Sequence, residues 1–410
     1  RGHHGEGPLQ RRDLRHRAHL LLNDNILVDD ERVEVDVVVV APDNADEARL
    51  VTPKVAHPIP DLRSLVLALR GEEPWPETGS STQEAASFEE PDLADVRGQR
   101  MARFAIEVAA AGAHHLLLIG PPGAGKSMLA RRLPGLLPDL TDDQALEVSR
   151  IRSAAGVPLP TGGLFRRPPW RSPHHGASSA ALVGGGSAAM HPGEISLAHG
   201  GVLSLDELGE FAPKVLDALR QPLEDGTVQI SRVAGSADYP ARVLLVAAMN
   251  PCPCGGSGAP GGCRCPEHVR LKYFRRVSGP LLDRFDLRID VDRPEPVELL
   301  DGRDGEPSSA VAERVASARE RARARGVTAN VELGASALAT AAPLSHEATR
   351  LLEATLHAGR LSARGLHRVR TVALTIADLT GREALIGPDL IDTALGLRID
   401  PFRPAGHGIH

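Results

Sequence analysis

The octapeptide GPPGAGKS, Gly120 to Ser127, stands directly after the apolar run LLLI, Leu116 to Ile119. It meets every fixed position of the phosphate-binding pattern G-x-x-x-x-G-K-[ST], between an expected strand and an expected helix, SMLARRLPGLLP. Gly120, Gly123 and Gly125 let backbone N–H groups converge on phosphate oxygens, with Pro121, Pro122 and Ala124 forming the rest of the turn. Lys126 is placed to reach the β- and γ-phosphates, and Ser127 to offer its hydroxyl to Mg²⁺. A plain strand-to-helix turn needs neither the lysine nor so many glycines. The expectation is an α/β domain that binds ATP with Mg²⁺.

Such a loop predicts a second strand ending in acid, and GVLSLDELGEF supplies one. Asp206 is expected to hold the Mg²⁺ shell, and Glu207 to orient and polarise the attacking water. A third strand ends in AAMN, where Asn250 suits a γ-phosphate sensor, although an isolated Asn after a strand is also a turn former. Arg284, in GPLLDRFD, can supply transition-state charge from a neighbouring subunit, or pair locally with Asp283 or Asp286. LSARGLHRVR sets Arg364 and Arg368 four apart on one helix face; Arg364, in the first turn, is the expected γ-phosphate sensor, against a solvated basic face. An arginine supplied in trans makes the active form a homo-oligomeric ring.

Around this core the 410-residue chain has room for two or three domains. Residues 1–30 carry no clean period and read as a disordered or atypical terminus, with a basic arm as the alternative. Residues 31–75 read as an α/β fragment: a strand in VEVDVVVVAP, a short helix in DNADEARLV, and a helix in PDLRSLVLALRG stopped by Gly71. Residues 76–91 form a linker, 92–296 the ATPase core with inserts, 297–310 a second loose connection, and 311–400 a helical domain. No apolar run approaches the roughly 20 residues of a membrane span, so no membrane partner is expected and a cytoplasmic location is. The net charge of −6 gives no support for nucleic-acid binding but leaves room for a local basic surface or an arginine-lined pore.

All four cysteines, Cys252, Cys254, Cys263 and Cys265, lie in NPCPCGGSGAPGGCRCPEH. Two Cys-x-Cys pairs joined by a glycine-rich loop can complete a tetrahedral Zn²⁺ shell of structural type, with His268 as a spare ligand; reduced, metal-free thiols are the alternative. The segment FRRPPWRSPHHGASSAALVGGGSAAMHPGEIS looks too polar and broken for a core element. Its Arg166, Arg167 and Arg171 suit a loop facing a pore, and GTVQISR suits a hairpin arm ending at Arg232. Adjacent His174 and His175 read as solvated side chains, with metal ligation as the alternative.

DLADVRGQ, LLLIGPPGAGKSMLARRLPGLLP, SPHHGASSAALVGGG, HPGEISLAHGGVLSLDELGEF, YPARVLLVAAMNPCPCG and SGPLLDRFDLRIDV together resemble the YifB/ComM family of AAA+ ATPases, related to the magnesium-chelatase I subunit. The resemblance runs from about Val33 to Leu397 and implies three parts. These are an N-terminal domain similar to the Lon protease domain, incomplete here, a AAA+ core with inserts, and a C-terminal helical domain of magnesium-chelatase type. It supports Lys126, Ser127, Asp206, Glu207, Asn250 as first sensor, Arg284 as finger and Arg364 as second sensor. It departs at Leu374, where the family has arginine, and at Gly176, where it has threonine.

The resemblance, and not composition, implies a hexameric motor acting on DNA, as a helicase or branch-migration engine in transformation and recombination. A chelatase-type motor remodelling a protein partner is the alternative reading. A protease component would need a serine–lysine pair that the 31–75 segment does not display.

Overall fold

LLLI, VLSL and LLVAAM are apolar at every position rather than alternating, the pattern of strands covered on both faces. In the computed structural model each is a fully buried strand of one parallel sheet. The structure describes residues 38–42, 56–76, 90–157, 160, 164–185, 191–232, 235–256, 263–300, 305–382 and 385–400.

The chain divides into two units, residues 1–87 with 157–165, and the remainder. In the first, β1 (Val38–Val40) pairs in parallel with β2 (Ala56–Pro58), followed by α1 (Leu62–Leu69). Asp61 caps α1 by accepting from Ser64 N at 2.8 Å, and Gly71, at φ +70°, lies just past its end. The expected helix in DNADEARLV, residues 1–30 and most of the 76–91 linker lie outside the described residues.

The second unit runs through α2 (Arg100–Gly112), β3 (Leu116–Ile119), α3 (Lys126–Ala130), α4 (Asp142–Ala154), β4 (Trp170–Arg171), α5 (Ser179–Val183), α6 (Glu194–Leu197) and β5 (Val202–Leu205). It continues with α7 (Pro213–Ala218), α8 (Arg220–Asp225), the antiparallel hairpin β6 (Thr227–Arg232) and β7 (Gly235–Pro240), β8 (Leu244–Met249), α9 (Glu267–Phe274), α10 (Gly279–Leu282) and β9 (Leu287–Asp290). The sheet order is β4-β5-β8-β3-β9, every neighbouring pair parallel. Side chains alternate across it: Leu116, Leu118, Val246, Ala248, Leu287 and Ile289 enter one core with α2. Leu117, Ile119, Leu203, Leu205, Leu245 and Ala247 enter the other, with Leu182 and Phe211.

Two expectations change here. The polar segment after Phe165 is not merely a loop: Trp170 and Arg171 form the edge strand β4, opposite Val202 and Leu203. A two-residue strand is too short to show a period, so tertiary pairing alone reveals it. The 297–310 connection is partly helical, as α11 (Pro296–Leu300).

The C-terminal helices are α12 (Ser308–Ala324), α13 (Ala335–Ala341), α14 (His346–His357), α15 (Ala363–Thr380) and α16 (Pro388–Gly396). Ser362 caps α15 by accepting from Gly365 N at 3.1 Å, and Gly381, at φ +67°, ends it. Val369, Val372, Ala373, Leu374, Ile376 and Ala377 bury the face of α15, so Leu374 is a core residue. Arg314 of α12 forks onto Glu107 of α2 at 2.6 and 3.0 Å, and His114 Nε2 meets Thr375 Oγ1 of α15 at 2.9 Å, tying bundle to core. No described helix is long and apolar enough to cross a membrane.

Candidate active site

In a parallel sheet all strand C-termini lie along one edge, where ligands of open α/β folds bind. Here that edge carries the phosphate loop after β3, Asp206 and Glu207 after β5, and Asn250 after β8. They converge on a cavity of about 350 Å³ whose lining includes Gly123, Lys126, Ser127, Asp206, Glu207 and Asn250. A larger cleft of about 460 Å³, around Arg97, Arg103 and Glu298, shares no lining residue with it and holds none of these groups.

Local geometry explains the glycines. A Cβ on Gly120 would stand 2.1 Å from the Val291 carbonyl oxygen, so only glycine fits where the loop crosses the end of β9. Gly123 and Gly125 hold φ of +78° and +86°. Lys126 Nζ donates to the Gly120 and Pro121 carbonyls at 2.7 and 2.9 Å and to Asn250 Oδ1 at 3.2 Å. Burial lowers the Lys126 pKa, with Asp206 opposing. Ser127 Oγ donates to Asp206 Oδ2 at 2.6 Å, so a hydroxyl and a carboxylate already adjoin as oxygen donors of the type Mg²⁺ takes. Glu207 has φ +51°, uncommon for a residue with a Cβ, and its Oε2 lies 3.0 Å from His175 Nδ1. Pro121, Pro122 and Ala124 complete the loop, and Ala124 is buried.

Arg284 and Arg364 are elsewhere. Arg284 follows α10, three residues before β9, at the N-terminal edge of the sheet. It is buried, and its guanidinium pairs with Glu224 of α8. Its partner is thus neither Asp283 nor Asp286, which corrects the local-pair alternative. Arg364 does open α15, but its Nη2 points to the same Glu224, 3.7 Å from Oε1. The packing of α15 carries it to the partner of Arg284, and it does not line the phosphate cavity. Arg368, one turn on, pairs with Asp286 and donates to the Arg284 carbonyl at 2.9 Å. Burial raises the Asp286 pKa, but His114 and Arg368 more than offset it and leave the carboxyl below its usual range.

The four cysteine sulfurs lie within 4.8 Å of one another. Cys252 to Cys254, Cys252 to Cys263 and Cys254 to Cys263 are 3.3, 3.5 and 3.7 Å apart. Zinc–sulfur bonds of about 2.3 Å at tetrahedral angles set sulfurs about 3.8 Å apart, so the cluster fits a Zn²⁺ shell. The Cys254 thiol is lowered to about 7, first by the Gly256 N–H and then by Cys252. Gly255, at φ +71°, brings the cluster onto the phosphate loop, since a Cβ there would be 2.7 Å from Pro122 Cγ. His268, the spare ligand, is not part of the group.

The insert arginines are engaged within the chain. Arg166 pairs with Asp142 (2.6 Å), Arg167 with Asp139 (2.9 Å) and Glu90, and Arg171 with Glu194 (2.6 Å). Arg232 ends β6, opposite Gly235. Sequence reasoning passed over Gln99, whose Nε2 reaches the Ala124 carbonyl at 3.2 Å and the Asp292 carbonyl at 2.5 Å, and Glu224. Each had one available signal, its place in a family-like run: DLADVRGQ for Gln99 and LDALRQPLEDGTVQISR for Glu224.

A five-stranded parallel sheet of this order, with lysine, serine, aspartate and glutamate converging at its C-terminal edge, defines a AAA+-type P-loop ATPase. The profile of magnesium chelatase, subunit ChlI, matches residues 92–299, and that of the ChlI C-terminal domain matches residues 305–398. The chain belongs to this ChlI/YifB/ComM family and is an ATP-hydrolysing enzyme. An uncharacterized protein of Mycobacterium tuberculosis is 46% identical over 368 residues, 88% of this chain and 72% of that protein. Competence protein ComM of Haemophilus influenzae is 43% identical over 366 residues, 88% and 71% respectively. YifB of Escherichia coli is 44% identical over 344 residues, 83% and 67%.

Proposed function

We propose that the chain is a ring-forming motor that couples ATP hydrolysis to the remodelling of DNA, as a helicase or branch-migration engine. The observation that carries the ring is the separation of Arg284 and Arg364 from Lys126 and Glu207 at opposite sheet edges. β9 alone places about 10 Å of strand between the two edges, too far for either arginine to serve its own phosphate loop. A neighbour stacked in head-to-tail order brings one subunit's arginine edge to the next subunit's phosphate edge, and closure of that contact gives a ring, hexameric in this reading.

In the mechanism, Lys126 and the loop N–H groups bind the β- and γ-phosphates, and Ser127 and Asp206 would hold Mg²⁺. Bound Mg²⁺ supplies charge neutralisation on the phosphates. Glu207 accepts a hydrogen bond from the attacking water, and Asn250, already bonded to Lys126, reports the γ-position. Arg284 of a neighbour, released from Glu224, meets the charge developing on the transferred phosphoryl group, with Arg364 beside it. Cys252, Cys254, Cys263 and Cys265 would hold a structural Zn²⁺ that clips the Asn250 turn against Pro122.

DNA enters this reading through the family resemblance, the name of the Haemophilus relative as a competence protein, and the β6–β7 arm with Arg232 at its tip. The ion pairs of Arg166, Arg167 and Arg171 move the expected contacts from the insert to that arm. A protein-remodelling motor of chelatase type is the second reading, favoured by the magnesium-chelatase profile. We assign residues 31–75 to the incomplete Lon-like domain, whose α/β character the parallel β1–β2 pair and α1 support, and keep 92–296 and 311–400 as core and helical domain. The same reading places the protein in the cytoplasm. ATPase assays with single-stranded, duplex and forked DNA test it; stimulation by forked DNA is expected, and none by any DNA turns the reading to a protein substrate.

A further inference from the structure

The carboxylate of Glu207 is half exposed, and His175 is its one side-chain partner among the described residues. His175 sits on a loop of the insert pinned at both ends. Before it, Arg171 of the edge strand forks onto Glu194 with both bonds at 2.6 Å. After it, Ser178 caps α5 by accepting from Ala181 N at 3.2 Å. Inside the loop, His174 accepts from Gly176 N through Nδ1 at 3.1 Å and from Ala177 N through its carbonyl at 2.9 Å. The His174 ring lies over His175 at 4.0 Å between centroids, and the buried Phe211 meets His175 edge-on at 6.4 Å.

We infer that His175 is a positioning residue for Glu207, fixing the rotamer in which the carboxylate addresses the attacking water. The inference rests on the reading of Glu207 as the water-polarising group. An exposed carboxylate on a single flexible stem samples several rotamers, and rate falls steeply when a reacting group is left free to wander. Glu207 holds a left-handed backbone, and the pinned loop presents the imidazole nitrogen 3.0 Å from Oε2, leaving Oε1 for water. A half-exposed pair of this kind contributes little to folding stability, so its loss should be read in the rate rather than in the fold. Through His175, the posture of an insert outside the phosphate loop enters the hydrolytic step.

The test measures steady-state hydrolysis and the affinity for a fluorescent ATP analogue in full-length variants. His175→Ala should lower kcat about tenfold while KM for ATP and analogue affinity stay unchanged. His175→Asn, whose amide nitrogen stands where Nδ1 stood, should recover most of the rate; His175→Gln, whose amide lies farther out, should not. A kcat for His175→Ala within about twofold of the parent, or equal rates for the Asn and Gln variants, overturns the inference. Retained turnover in Glu207→Gln would instead remove the role of Glu207 itself, so the two failures are distinguishable.

Discussion

Arg284 and Lys126 stand at opposite edges of one parallel sheet, Arg284 before β9 and Lys126 after β3, although β3 and β9 are hydrogen-bonded neighbours. No side-chain rearrangement inside one chain brings them together. Arg284→Ala should therefore bind ATP normally and hydrolyse about a thousandfold more slowly. Mixed with Lys126→Ala protein it should regain activity, because mixed rings contain interfaces with both parts intact. Arg364→Ala should behave as Arg284→Ala does in this mixing assay, since both face Glu224. Absence of recovery in co-assembled subunits counts against the ring geometry.

Glu207→Gln keeps the side-chain shape but removes the negative charge that polarises water. Nucleotide binding should persist, since Lys126, Ser127 and Asp206 are untouched, while turnover drops by about a hundredfold or more. Equilibrium binding alongside single-turnover hydrolysis separates the two effects.

Elemental analysis of freshly prepared, reduced protein should find about one zinc per chain, as four thiolates at these spacings imply. Cys252 is the buried member of the set, so Cys252→Ser should release the metal. Because Gly255 abuts Pro122, metal removal should also weaken ATP binding, while the helical domain keeps its thermal transition. Metal-free, fully folded and fully active protein is the contrary result.

His115 is partly buried, its Nδ1 accepts from Leu245 N at 3.1 Å, and desolvation lowers its pKa to about 4. The unfolded chain takes up a proton near pH 6.5 that the folded chain resists until about 4, so folding stability should fall with acidification across that window. The ceiling is about 3 kcal/mol, since each tenfold difference in proton affinity between the two states is worth about 1.4 kcal/mol. His115→Asn, which offers an oxygen in place of Nδ1 and does not titrate, should flatten this limb in urea melts from pH 4 to 7. An unchanged limb would assign the acid sensitivity to other groups.

DNA affinity should fall steeply with salt and show little base preference, as phosphate contacts do. Arg232→Ala should reduce the salt slope by about one and lower DNA-stimulated hydrolysis, leaving basal hydrolysis near the parent level. With a net charge of −6, general surface attraction cannot substitute for it. Fluorescence anisotropy with ATP present provides the measurement, and salt-insensitive or absent binding rejects DNA as the substrate.

The phosphate loop, the acidic strand end and Asn250 were legible in the sequence because each lies within a few residues of its strand, where local chain geometry sets the position of the side chain. The cysteine cluster was legible for the same reason: its members fall within 14 residues. The sheet order, the edge strand at Trp170 and Arg171, and the facing of α15 were not, because pairing between distant segments decides them. Spacing alone sets Arg364 on a helix face, and only packing shows that this face meets Glu224 and Arg284 rather than the phosphate loop. His175 and Glu207 are 32 positions apart and carry no mutual signal in the chain; folding makes them neighbours 3.0 Å apart. Sequence by itself determined which chemical groups this protein has and which strand ends carry them. Tertiary structure decided which of those groups meet within one chain and which stand too far from the phosphate loop to serve it, because a parallel sheet separates the two ends of every strand by its full length.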